Sequence, residues 1–220
     1  MYLGIYCAGN LGREVREIAI RENFIKKIYK DIFFIDDTNR LDGKIIDGTR
    51  VFKFEDIKNN TNIIIANGEP KHRESLLERV RSAKFNLGRI IDTTTRISDF
   101  SIIDYGVILC PNTSVSSGAK IGMNVLINNS SIIGHDVEIG MNSVVSSMVN
   151  LGGSSKVGNN SYIGMGSQIK ESVAIGHNAI IGMGSIVTSD IPDNVIAMGY
   201  PAKVLKENTS RSVFKNKGEL

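Results

Sequence analysis

A parallel β-helix preceded by a small α/β domain is the fold class that this sequence predicts, and three observations predict it. From Ile91 to Val187, an Ile, Leu or Val recurs at every sixth residue without a gap. That is neither the 3.6-residue period of an α-helix nor the two-residue period of a flat strand, and a fixed hexapeptide period belongs to coils stacked into a prism. The fifth residue of each hexad is small or β-branched, as at Val107, Thr113, Ala119, Ser131 and Ser167, which suits a narrow interior beside a large aliphatic first position. The fourth residue is rich in Gly, Asn and Asp, as at Gly106, Asn112, Asp136 and Gly184. These types tolerate the positive φ that a corner demands. Three hexads make one triangular coil, so residues 97–186 supply about five coils, and ~4.8 Å per coil gives a prism on the order of 24 Å long.

The elements before the hexads alternate. Tyr2–Tyr6 reads as a short apolar strand, 7–12 as a glycine-containing turn, and 13–23 as a helix with Val15, Ile18 and Ala19 on one face. Residues 31–37 hold a buried strand, Ile32-Phe33-Phe34-Ile35, that ends in Asp36-Asp37. Residues 62–66 form another apolar strand. Residues 70–83 form a helix, with Pro70 in its first turn and Leu76, Leu77 and Val80 as its stripe. Residues 85–91 close the series as a last strand. This β-α-β-β-α-β order argues for a parallel sheet. The hexads stop at Ile191-Pro192. The expected division is 1–90 for the α/β domain, 91–192 for the β-helix and 193–220 for a closing segment, whose polar last dozen residues should have little intrinsic structure.

Composition narrows the function. Hydrophobic residues make up 41% of the chain, as in globular proteins, and the net charge of +3 comes without a dense Lys/Arg block. Nucleic acid is therefore not an expected partner. No apolar run is long enough to span a bilayer, and no basic stretch leads into an apolar one as in a signal peptide. Cys7 and Cys110 lack metal-type spacing and read as reduced thiols of a cytoplasmic protein.

The third residue of each hexad points outward at a corner, and sorting these residues every 18 positions gives three columns. One holds Asp99, Ser117, His135, Gly153, Glu171 and Ser189; the second holds Tyr105, Met123, Met141, Asn159 and His177; the third holds Pro111, Asn129, Ser147, Met165 and Met183. His135 precedes Asp136, and an imidazole beside a carboxylate is a competent general base. The plain alternative is a surface histidine at a turn. Gly153, one coil along, would leave room for a thin substrate. His177-Asn178 repeats the arrangement without the carboxylate, and His72 should be solvated on the polar side of its helix. The registered methionines suggest a covered surface, either a subunit interface or a binding groove. Gly9-Asn10-Leu11-Gly12 could bind phosphate at a helix N-terminus, and Asp36-Asp37 could bind sugar hydroxyls or simply end a strand.

Ala8-Gly9-Asn10-Leu11-Gly12-Arg13-Glu14-Val15, Phe34-Ile35-Asp36-Asp37, Gly134-His135-Asp136 within the hexads, and Gly199-Tyr200-Pro201-Ala202-Lys203 together carry a likeness. The chain resembles the hexapeptide-repeat sugar acetyltransferases of the sialic-acid O-acetyltransferase and bacillosamine-pathway N-acetyltransferase type. The resemblance implies a left-handed β-helix, a Rossmann-like N-terminal domain and a homotrimer with active sites between prisms. It implies acetyl-CoA as co-substrate, no metal, and surface glycan biosynthesis as the setting. His135 would be the base and Asp136 its partner. Val144, Gly153, Met165, Met183 and Lys203 would meet CoA. Asn10, Leu11, Gly12, Asp36, Asp37 and Gly68 would hold a sugar acceptor, often nucleotide-linked. Many members read Gly-Gly-His-Gly where this chain has Gly9-Asn10-Leu11-Gly12.

Two other readings remain on the residues alone. A carbonic anhydrase would need three histidines around a metal, whereas His72, His135 and His177 are the chain's full complement and the last two lie on different corners. A structural or ice-binding β-helix would need a repeated flat Thr array, and the outward columns are irregular.

Overall fold

The computed structural model describes residues 1–214. The N-terminal domain runs β1 (Tyr2–Tyr6), α1 (Asn10–Lys26), β2 (Ile32–Ile35), β3 (Ile45–Ile46), β4 (Thr49–Phe52), β5 (Thr61–Ile65), α2 (Pro70–Ser82) and β6 (Asn86–Leu87). Its strand order is β3-β4-β2-β1-β5-β6, parallel except for the β3–β4 hairpin. The sequence reading missed that hairpin because its strands, two and four residues long, are too short to stand out as periodic segments. The helix expected at 13–23 begins at Asn10, so Asn10, Leu11 and Gly12 form its first turn and the preceding turn is residues 7–9. Gly12 is required there: a Cβ would lie 2.0 Å from the carbonyl oxygen of Cys7. The strand expected at 85–91 is two pieces, because Ile90–Ile91 pairs with Ile108–Leu109 and so belongs to the prism.

From β7 (Ile90–Ile91) onward the chain winds as the parallel β-helix that the period predicts, with every pairing 18 residues apart up to Val187. Three faces result. The docking face stacks Ile90–Ile91, Ile108–Leu109, Leu126–Ile127, Val144–Val145, Tyr162–Ile163 and Ile180–Ile181. The second runs from Arg96–Ile97 to Ile186–Val187, and the third from Ile102–Ile103 to Ala174–Ile175. The sixth-residue aliphatics line the interior, fully buried from Leu109 to Val187. Burying each contributes about 1.5–3 kcal/mol. The fourth position is left-handed at every corner from Gly106 to Gly184, including Ser130, Met148, Ser154 and Ser172, where the sequence offers no conformational hint.

The docking face is apolar outside as well. Ile90, Ile108, Leu126 and Val144 share a cluster with Leu3, Ile5, Val15, Ile18, Phe34 and Ile64. Arg73 of α2 rivets the two domains: it is fully buried, and it donates to the carbonyl oxygens of Ile65 (2.6 Å), Asn67 (2.9 Å) and Asn124 (2.6 Å). Burial lowers its guanidinium to about 9, so it stays a cation at neutral pH. An amide ladder, Asn124–Asn142–Asn160, continues from it and ends on Glu74.

The segment after Pro192 extends the docking face. Val195–Gly199 pairs with Ile180–Ile181 and turns through Tyr200-Pro201 into antiparallel Ala202–Glu207. Residues 208–214 do not behave as the tail that was expected. They run back to α2, where Arg211 pairs with Glu74 at 2.6 Å and the amides of Val213 and Phe214 donate to Glu69. The rest of the expected tail, 215–220, lies outside the described residues.

Candidate active site

The corner between the second and third faces carries His135. Its Nδ1 lies 2.9 Å from Asp136 Oδ2. An ionised carboxylate only accepts, so Nδ1 carries the proton and Nε2 keeps its lone pair directed away from the pair. Asp136 is the left-handed corner residue, φ 57°. Two glycines one coil to either side make room for the dyad. A Cβ on Gly118 would lie 2.2 Å from Asp136 Oδ1, and a Cβ on Gly153 would lie 2.3 Å from His135 Nε2. This corrects the sequence expectation for Gly153. The space that it leaves is filled by the imidazole itself, so Gly153 seats the ring and is not an opening for substrate.

Met165 and Met183 are exposed on the next corner, between the docking and second faces, and Lys203 is exposed on the terminal hairpin. Gly153 lies on the His135 corner, so in one chain it stands a full face away from Met165 and Met183. Val144 does not fit a CoA contact: its side chain is buried among the residues that dock the N-terminal domain. Met123 departs from its column as well. It is half-buried under Arg81 (3.0 Å to Sδ) and packs with the N-terminal core, whereas Met141 is exposed.

A concavity of about 460 Å³ opens at the C-terminal ends of β1, β2 and β5, between Tyr6, Cys7, Asp36, Asp37, Asn67 and His72. Strand ends of an open parallel sheet are where ligands gather. The two aspartates are already engaged. Asp36 accepts from the amides of Ala8 and Thr38 (both 3.0 Å), and Asp37 accepts from Tyr6 Oη (2.5 Å) and Arg79 (2.6 Å). They therefore shape the cleft as well as line it. Burial first, then Asp37, pushes the Tyr6 hydroxyl above its ordinary range, and burial raises the Cys7 thiol. His72 is exposed, as expected, yet it faces this cleft; Asn67 before the helix, Ser75, and Leu76, which the sequence reading assigns to the helix's core stripe, join it there, and that reading places none of them at a site. Asn10 is exposed in the first turn of α1, which has no side-chain cap and no acidic residue. Leu11 and Gly68 are half-buried neighbours: a Cβ on Gly68 would lie 3.9 Å from Leu11. Cys7 and Cys110 are both free thiols.

A hexapeptide prism with a histidine–carboxylate corner, joined to an α/β domain with a strand-end cleft, defines an acyltransferase. Residues 118–153 and 154–189 match the family "Bacterial transferase hexapeptide (six repeats)", and residues 2–80 match the family "PglD N-terminal domain". Between them these two matches span the α/β domain and most of the prism, so the chain is similar to the hexapeptide-repeat sugar acetyltransferases that carry this N-terminal domain, and it is an acetyl-CoA-dependent enzyme. The acetyltransferase domain of PglB from Neisseria gonorrhoeae is 25% identical with a TM-score of 0.85, covering 93% of this chain and 99% of its own. WeeI from Acinetobacter baumannii is 29% identical with a TM-score of 0.77, covering 93% and 100%. Perosamine N-acetyltransferase from Caulobacter crescentus, solved with CoA and GDP-perosamine, shares the fold at 21% identity and a TM-score of 0.84, covering 94% and 98%. A comparison with curated protein sequences finds no match. No helix among the described residues is long and apolar enough to cross a membrane.

Proposed function

We propose that this enzyme transfers acetyl from acetyl-CoA to an amino group of a nucleotide-linked sugar, with His135 as general base. The observation that carries the reading is the dyad: Nδ1–H fixed on Asp136, Nε2 free, and the ring seated on Gly153. The acceptor nitrogen gives its proton to Nε2 as it attacks the thioester carbonyl. A C–N bond forms, the C–S bond breaks, and the imidazolium returns the proton to the CoA sulfur. A hydroxyl acceptor would use the same steps. The amine is preferred because the Caulobacter enzyme of the same fold is an N-acetyltransferase solved with a nucleotide sugar.

The acceptor's nucleotide would lie along Asn10, Leu11, Gly12 and Gly68, with the uncapped first turn of α1 facing its phosphates. Asp36 and Asp37 form the floor of the cleft. The Neisseria domain was solved with acetyl coenzyme A, and here CoA would run between prisms of a homotrimer. One subunit's His135–Gly153 corner would meet the Met165–Met183 corner and Lys203 of its neighbour, which explains why one chain holds these groups a face apart. A cytoplasmic role in surface glycan synthesis fits this chemistry. The test is acetyl-CoA consumption with nucleotide-linked amino sugars, free amino sugars and sialic acids. Turnover should be fastest with the first class; consumption with none of the three would refute the reading.

A further inference from the structure

The strap formed by residues 208–214 spends buried polar groups on reaching one place. Asn208 is buried and hydrogen-bonded to Asn194 and Asn178. Arg211 pairs with Glu74, and Lys71 donates to the carbonyl of Ser210. Glu69, only 5% exposed, accepts from two consecutive backbone amides: Val213 at 3.0 Å and Phe214 at 3.0 Å. A buried carboxylate held by two amides fixes that backbone firmly. Yet the side chain so positioned, Phe214, is 55% exposed. One edge of it packs at a right angle on Tyr162, with centroids 5.8 Å apart. Its Cε2 would lie 3.8 Å from a Cβ on Gly68, beside Leu11. An apolar ring that is locked in place and more than half exposed among the described residues contributes little to the core; it is suited to a flat partner.

We infer that this strap completes the acceptor site, and that the ring of Phe214 is the platform on which the nucleobase of the acceptor stacks. The inference rests on the nucleotide-linked acceptor proposed above. Phe214 and Tyr162 form two walls at right angles, and Gly68, with no side chain, leaves the third side open. A planar heterocycle presents a π face to such a seat, whereas a hexose offers none. Phe214 is thus a binding and specificity residue that touches the part of the acceptor remote from the reacting nitrogen.

The chain contains no tryptophan, so Phe214→Trp places a single reporter at this position. Titration with UDP or GDP is expected to change its emission saturably. In calorimetry, Phe214→Ala should weaken that nucleotide roughly tenfold, the usual scale for one base on one aromatic ring, and Phe214→Tyr should restore it. A chain ending at Asn208 should bind nucleotide as weakly as Phe214→Ala, with its circular dichroism unchanged. In turnover, KM for the acceptor should rise, while kcat and KM for acetyl-CoA hold. Unchanged nucleotide affinity in Phe214→Ala, or an emission change with a free amino sugar in place of both nucleotides, overturns the inference and leaves the acetyltransferase reading standing. If wild-type protein binds neither nucleotide, the inference falls together with the nucleotide-linked acceptor, and acetyl transfer to a free amino sugar then decides the activity by itself.

Discussion

Two corners of one prism carry a histidine in nearly the same tripeptide, Gly134-His135-Asp136 and Gly176-His177-Asn178, and the structure puts the two rings to opposite uses. At the first corner the neighbour is a carboxylate, so Nδ1 donates and Nε2 is the free lone pair. At the second, the backbone N–H of Asn159 donates to Nδ1 of His177 at 2.9 Å. That nitrogen must accept, so the proton lies on Nε2 and the outward position is a donor. The backbone amide of His177 is held in turn by Asp193 Oδ1 at 2.7 Å. The same repeat thus yields an imidazole with an unengaged Nε2 at one corner, suited to the proposed base, and a strut at the other. The difference lies in the residue that follows each histidine and in what stands one coil away: Gly153 beside His135, Asn159 beside His177.

The largest expected effect falls on the first corner. His135→Ala should lower kcat by roughly 10²–10⁴-fold, the range for loss of a general base. The side chain is exposed, so the thermal midpoint should not move. Turnover that survives the change, measured with the true acceptor, would show that the two corners are alike in being inert.

Next comes the seat of the ring. Gly153→Ala adds a Cβ that would meet His135 Nε2 at 2.3 Å, so the imidazole must turn aside. Misplacing a catalytic group by this much costs about 10²-fold. In the double variant with His135→Ala the second change should cost nothing further, because both act on one group. Additive losses would mean that Gly153 touches substrate in its own right. Asp136→Asn is milder. It removes the charge from the Nδ1 hydrogen bond, worth ~1.4 kcal/mol and so about tenfold in rate. The loss should show in kcat, with KM for acetyl-CoA unchanged.

The prism was legible in the sequence because its physics repeats. Each coil imposes the same interior size and the same corner conformation, so seventeen aliphatics from Ile91 to Val187 report one rule. The hexad register alone then placed His135, Gly153 and the outer methionines on their corners. It could not say which groups a ring fills or which faces are covered. Val144 and Met123 look like any outward position, and only the arrival of the N-terminal domain buries them. Likewise the roles of Glu69, Arg73 and Phe214 depend on partners 51 to 145 residues away. Such pairings follow no local period, so residues 208–214 read as a polar tail.

The smallest effects belong to the second corner. His177→Ala leaves the Asn159 N–H without its acceptor, but at an exposed site water replaces it, so stability should fall by no more than about 1 kcal/mol and turnover should stay near wild type. A sharper version rebuilds the first tripeptide at the second corner. Asn178→Asp creates Gly-His-Asp there, at the expense of the Asn178–Asn194 amide bond. Placed in the His135→Ala background it should restore no acetyl transfer. The Asn159 amide still requires Nδ1 of His177 to accept, so the new carboxylate finds no proton on that nitrogen to hold. Recovery of even a tenth of wild-type turnover would mean that the tripeptide alone makes the base. The glycine seat beneath His135 and the coil neighbour beneath His177 would then be incidental to the chemistry.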